Sequence, residues 1–235
     1  MLGSMRRNGL PAAAPRAFDE LAKACATVAL RGTGRTLPAK PPPDDRSAAL
    51  DAAECFRLAR RHRVTPLAIA ELARRMHPRD PSVASDLVDY ASGLRLKALR
   101  YAARLATLTA AFTAADVPCL AIKGAVLAQH LHGDVAARDS KDIDLLIDPA
   151  SIDRAVQILR STGYVETGIE SASAGDNRFA NKHRTFAGNG CEIELHTRLI
   201  DIDALLPLPF DEVWARRELV AIGGVAVATL SQVDT

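Results

Sequence analysis

Residues 138–148 read RDSKDIDLLID, and the polarity of this stretch decides the fold. Its apolar half, Leu145-Leu-Ile147, has strand length and is closed by Asp148-Pro149. Asp142-Ile-Asp144 lies at the entrance. Residues i and i+2 of a strand point to one face, so both carboxylates converge on one spot. Two carboxylates that close repel each other unless a cation neutralises them. Hard oxygen ligands in this arrangement suit magnesium or manganese. A solvated surface strand can share the same spelling, so the weight falls on the surroundings.

Working outward, Val117–Ile122 is a short apolar run of strand length, ended by Lys123-Gly124. Ala125–His132 follows as a helix and Gly133-Asp134 turns the chain. After the Asp-x-Asp strand, Ser151–Ser161 carries Ile152, Ala155, Val156 and Leu159 at helical spacing and stops at Gly163. Phe179–Ala187 and Cys191–Leu199 flank Gly188-Asn189-Gly190, a strong hairpin signal. Phe210–Glu218 reads as a short helix, and Val220–Leu230 as a hairpin around Gly223-Gly224. Strand, helix, strand, helix and hairpin make a sheet layer with helices, an α+β mixed sheet.

The half before Asp116 has another texture. Ala17–Arg31 is helical on Phe18, Leu21, Cys25, Val28 and Ala29. Leu37–Asp45 (LPAKPPPDD) is a linker or strap, because proline lacks the amide donor and clashes with the preceding helical turn. Ser47 caps a helix running to Arg61, and Thr65-Pro66 opens another to Met76. From Pro81 an apolar stripe runs through Val83, Leu87, Tyr90, Leu94, Ala98, Tyr101, Leu105, Leu108 and Phe112. That predicts one helix of about 33 residues, roughly 50 Å long, whose stripe packs in a core. The expected organisation is an arm, helix and Pro-rich linker (1–46), a helical module (47–116) and an α/β core (117–235).

At 235 residues with 48% hydrophobic and 25% charged side chains, the chain can bury a sizeable core and is no disordered polymer. No apolar run approaches the roughly 20 residues of a membrane span. Cys25, Cys55, Cys119 and Cys191 are far apart, which argues for free, mostly buried thiols in a reducing cytosol; the expected location is cytoplasmic. Residues 1–116 carry 19 basic and 11 acidic side chains, whereas residues 117–235 carry 11 and 17. No aromatics interleave with the arginines, so the basic half reads as solvated helix faces and nucleic acid is not an expected partner.

Polarity around Asp142-Ile-Asp144 narrows the chemistry. In haloacid-dehalogenase-type phosphatases, and broadly in Asp-x-Asp glycosyltransferases, the pair follows its apolar strand; here it precedes. Two further parts stand at suitable spacing. Lys123-Gly124 joins a strand to a helix 18 residues before Asp142. A glycine there lets backbone amides approach phosphate oxygens, and a helix N-terminus favours negative charge. Glu192-Ile-Glu194-Leu-His196 presents three polar side chains on one strand face, with Glu194 able to supply a third carboxylate.

These pieces resemble an uncharacterised bacterial nucleotidyltransferase family within the polymerase-beta-like superfamily. The stretches that carry the likeness are AIKGAVLAQHLHGD, ARDSKDIDLLID, LRSTGY and EIELHTRL. Residues 64–72 and the long helix resemble that family's helical N-terminal part, so the expected fold is an N-terminal helical module packed on a minimal nucleotidyltransferase mixed sheet. The resemblance implies transfer of an NMP group from an NTP, ATP by default, to a hydroxyl or phosphate of a small molecule, peptide or protein, releasing pyrophosphate. It further implies that Asp142, Asp144 and Glu194 bind Mg²⁺ or Mn²⁺ and perform catalysis. Lys123 and Gly124 would hold the triphosphate, with Arg138, Ser140 and Lys141 near its oxygens. His196 is an acceptor-side or packing residue, and Lys182 and His183 are weaker acceptor-side candidates.

Three departures from the family pattern bear on this reading. Gly124-Ala125 stands where the superfamily has Gly-Ser, and Glu194 where it has aspartate. The chain also stops after Leu230-Ser-Gln-Val-Asp-Thr235, where relatives continue into a helical segment; a truncated core, or a partner covering that end, is the expectation. The alternative function is a catalytically weak nucleotidyltransferase fold acting as a binding or regulatory protein, such as a toxin–antitoxin component. Asp-x-Asp glycosyl transfer is a third reading.

Overall fold

A computed structural model of the protein describes residues 14–30, 52–61, 66–78, 80–168, 183–199, 208–231 and 233–234. The Pro-rich stretch 37–45, the proposed cap Ser47 and residues 179–182 lie outside the described residues. The chain divides into two compact units, residues 1–94 and 95–235.

The first unit is helical. Helices α1 (Ala14–Leu30), α2 (Ala52–Arg61), α3 (Pro66–Met76) and the start of α4 (Pro81–Ala114) share one apolar core. Leu21, Leu58, Ile69, Leu72, Met76 and Leu87 meet in it. The start of α4 is set by local chemistry: Asp80 Oδ1 accepts from the amides of Ser82 and Val83, and Pro81 fills a position where no amide is needed. The stripe predicted for this helix is real. Leu87, Leu105, Leu108 and Phe112 are fully or almost fully buried.

The second unit is a seven-stranded mixed sheet with helices, as the α+β reading required. Its strands are β1 (Cys119–Ala121), β2 (Ile143–Ile147), β3 (Val165–Gly168), β4 (His183–Gly188), β5 (Cys191–His196), β6 (Glu218–Ile222) and β7 (Val225–Thr229), in the spatial order β3-β4-β5-β2-β1-β7-β6. The pairs β2–β5 and β1–β7 are parallel and the remainder antiparallel. Helices α5 (Ala125–His132) and α6 (Ile152–Ser161), with the later turns of α4, share a core with one face of the sheet. Ile143, Leu145 and Ile147 of β2 and Ile193 and Leu195 of β5 belong to that core. On the other face Leu120, Ile122 and Leu146 pack under the short helix α7 (Phe210–Ala215), chiefly against Val213. Strand parity does the rest: Asp144, Glu194 and His196 must lie on the face away from α4 and α6.

Several boundaries differ from expectation. Strand β3 was not anticipated; it is an edge strand whose Val165 and Thr167 are exposed, so no apolar alternation announces it. The hairpin turn is Asn189-Gly190, with φ of 52° and 75°, and Gly188 belongs to β4. Two consecutive left-handed residues match the right-handed twist of the flanking strands. The helix expected over Phe210–Glu218 ends at Ala215, and Glu218 opens β6. Strand β7 reaches β1 through the single register pair Ala121↔Thr229, reinforced by Thr229 Oγ1 donating to the Ala121 carbonyl at 2.6 Å.

Candidate active site

Strands β2 and β5 run parallel with Asp144 opposite Glu194 and Leu146 opposite His196. This register makes the sequence-predicted carboxylates neighbours, since opposed side chains of adjacent strands share one face. Glu192, two residues earlier on β5, is exposed. His196 is buried, and its Nε2 stands 3.2 Å from both Asp144 Oδ1 and Glu194 Oε2. Asp144 Oδ1 also accepts from Lys123 Nζ at 2.7 Å. A buried carboxylate needs such partners, because losing water costs several kcal/mol unless charge and hydrogen bonds replace it.

Lys123 stands where β1 gives way to α5. Gly124 precedes that helix with φ 62° and ψ −126°. The conformation is one that L side chains avoid, and an added Cβ would lie 3.1 Å from Ser140 Oγ. Lys123, Gly124, Ser140, Asp142 and Asp144 line one pocket, together with Tyr101 and Leu105 of α4. Arg138 and Lys141 share the loop before β2 but do not line that pocket. Three contacts from α4 hold this loop: Arg95 with Asp134 at 2.8 Å, Lys97 with Asp139 at 2.9 Å, and Tyr101 OH donating to the Lys141 carbonyl at 2.9 Å. Lys182 lies outside the described residues, and His183 opens β4 paired in register with His196.

Charge is unevenly compensated. Burial alone would raise the Asp144 carboxyl, yet hydrogen bonds from His196 and Lys123 outweigh it and hold the group below the ordinary carboxylate range. Asp142 goes the other way: burial, then repulsion from Asp144 and Glu194, push it above that range. Burial opposes the charged form of Lys123, but its hydrogen bond to Asp144 and the fields of Asp144, Glu194 and Asp142 lift its pKa above the usual lysine value. One ammonium thus faces three carboxylates, and the cluster is short of positive charge.

The donor set fits a divalent cation. One ligand atom each from Asp144, Glu194 and His196 lie within 4.8 Å of one another, the compactness a coordination sphere requires. His196, read from the sequence as an acceptor-side or packing residue, stands between the two carboxylates; its parity with Glu194 along β5 was the available signal. Sequence places Tyr101 in the core stripe, and its phenolic hydroxyl, a polar group that a core position does not need, was the sign that it does more.

A carboxylate face opening onto a glycine turn at a helix start is what nucleotide chemistry requires. The chain belongs to a family of uncharacterised nucleotidyltransferases, which matches residues 48–235. It is therefore a nucleotidyltransferase by family, with an NTP as substrate class. No curated protein and no solved structure matches it. Among the described residues no helix is long and apolar enough to cross a membrane.

Proposed function

We propose that the protein is a metal-dependent, polymerase-beta-like nucleotidyltransferase that moves an NMP group from an NTP to an acceptor oxygen. In the reaction the acceptor oxygen bonds to the α-phosphorus, the bond from that phosphorus to the bridging oxygen breaks, and pyrophosphate leaves. The observation that carries this reading is Asp144 opposite Glu194 on adjacent parallel strands, beside the Lys123–Gly124 turn.

Asp142, Asp144 and Glu194 are assigned to holding Mg²⁺ or Mn²⁺, with His196 close enough to share an ion. Bound there, a divalent ion supplies Lewis-acid polarisation and neutralises the leaving phosphates. Glu194, at the less buried side of the cluster, accepts the proton of the acceptor hydroxyl. His196, 3.2 Å from each, is assigned to orienting the Asp144 and Glu194 carboxylates. Gly124 gives the triphosphate close access to the start of α5. Ser140 is assigned the role of the hydroxyl that Ala125 lacks, because its Oγ hangs over Gly124. Arg138 and Lys141, on the same loop, are assigned to the outer phosphate oxygens. ATP is the default donor; the acceptor is a hydroxyl or phosphate of a small molecule, peptide or protein.

The test is a panel of labelled NTPs incubated with Mg²⁺, Mn²⁺ or neither, scored for pyrophosphate release and for label on the protein or added acceptors. Metal-dependent release that disappears in Asp144→Asn is the expected result. Release that survives both metal removal and the substitution would end this assignment, and no binding of any NTP with metal would favour the regulatory reading.

A further inference from the structure

Asp144 Oδ1 already has a cation. The Asp144 side chain is 4% exposed, and Lys123 Nζ lies 2.7 Å from Oδ1, the oxygen that also faces His196 of the candidate metal cluster. Lys123 itself is 58% exposed, and its charged head reaches the carboxylate from the more open side of the pair. It also stands in the turn that leads into α5, next to Gly124 and Ser140, where phosphates are assigned. One ammonium therefore sits between two prospective ligands, a carboxylate it now holds and a triphosphate it can reach.

We propose that Lys123 is an electrostatic placeholder: it occupies Asp144 until metal and nucleotide arrive together, and then passes to the phosphate oxygens. This rests on the nucleotidyltransferase reading. The argument is one of competition. A divalent ion arriving alone must displace the ammonium from Asp144 Oδ1 and leave two cations side by side, which costs electrostatic energy. An NTP arriving alone meets Asp142, Asp144 and Glu194, with Lys123 already engaged. Arriving together, the metal takes Asp144 and the phosphates take Lys123, so each cation ends beside an anion. Metal and nucleotide are then coupled through one side chain, and such coupling is reciprocal by necessity. The protein alone would bind metal weakly and be guarded against idle ions.

Calorimetric titration of Mn²⁺ into the full chain, with and without a non-hydrolysable ATP analogue, tests this in wild type, Lys123→Met and Lys123→Gln. Melting curves verify that each variant folds. Removal of the ammonium is expected to tighten binding of Mn²⁺ alone by about tenfold while weakening the analogue, shrinking the coupling between them. If both neutral variants bind Mn²⁺ alone no better than wild type, the placeholder is overturned while the metal site stands. Variants that fold only with Mn²⁺ present would support it, since the ion then replaces the charge that Lys123 supplies to buried Asp144, whereas variants that stay unfolded with both Mn²⁺ and the analogue would overturn it. Absence of Mn²⁺ binding in every protein, with or without the analogue, would remove the metal-site reading and this inference with it.

Discussion

Replacing Asp144 by asparagine keeps the side chain's shape but removes the charge that Lys123 and His196 both engage. Turnover should fall by about 100-fold or more, as when a major electrostatic stabiliser is lost, measured as pyrophosphate release at saturating NTP. Glu194→Gln should lower turnover more than NTP affinity, whereas Glu192→Gln should be mild, its side chain being exposed at the start of β5. The reverse ranking of the two glutamates would shift the third carboxylate by one strand period. Tyr101→Phe keeps the ring but deletes the hydrogen bond to the Lys141 carbonyl. One such bond is worth about 1 kcal/mol, so KM for the NTP should rise severalfold with little change in kcat. An unchanged KM would show that the loop needs no anchor there. The shared face of Asp144 and Glu194 was readable from sequence because a strand repeats every two residues, whereas Asp142 precedes β2 and lies outside that argument. The Lys123–Asp144 bond was not, since 21 residues separate the partners and spacing alone says nothing of whom an ammonium meets.

The elements divide in the same way. Helix α5 was readable to its ends because Lys123-Gly124 and Gly133 punctuate it, and Gly133 takes the left-handed conformation at its close. Gly124 carries more than punctuation. An alanine there must hold a backbone conformation costing about 1–3 kcal/mol and push against Ser140 Oγ at 3.1 Å. Gly124→Ala is therefore expected to lower the melting temperature and to weaken NTP binding together, checked by thermal unfolding and calorimetry. Loss of one without the other would separate the turn's structural role from its role toward phosphate. Strand β3 escaped because its identity comes from its partner: Glu166 pairs with Phe186 in register, and Arg184 grips the Glu166 carboxylate at 2.7 Å through two nitrogens. Neither contact leaves a local trace in the four residues of the strand.

On the scale of the whole molecule, each unit keeps its own core and its own buried charge. In the helical unit Glu71 has a side chain 0% exposed, held by Arg74 at 2.8 Å and Arg75 at 3.0 Å. The Arg74 hydrogen bond outweighs burial and, with Arg75, keeps the Glu71 carboxyl below its ordinary range. A folded-state value below the unfolded one contributes stability that is complete above the unfolded pKa and is lost as pH falls through the folded one. Glu71→Gln should thus flatten the decline in melting temperature between about pH 5 and pH 3 relative to wild type. An unaltered acid decline would mean that the pair adds nothing to folding. The overall class was readable because an apolar stripe of period 3.6 gives way, near Asp116, to short runs bounded by glycine and proline. The strand order was not, because the parallel contact of β1 with β7 joins residues 108 positions apart.

That contact has a mechanical consequence. Strand β1 is three residues long, held on one side by β2 and on the other by the Ala121–Thr229 pair. The Thr229 hydroxyl fastens the carbonyl two residues before Lys123, so detachment of the C-terminal hairpin would leave β1 as a frayed rim and loosen the turn that carries the lysine. Local opening of this corner, as amide hydrogen exchange would register it, is governed by a clasp near the far end of the chain. The readiness of the lysine turn for its ligand is therefore inherited from a hairpin that contributes no charged group to the pocket.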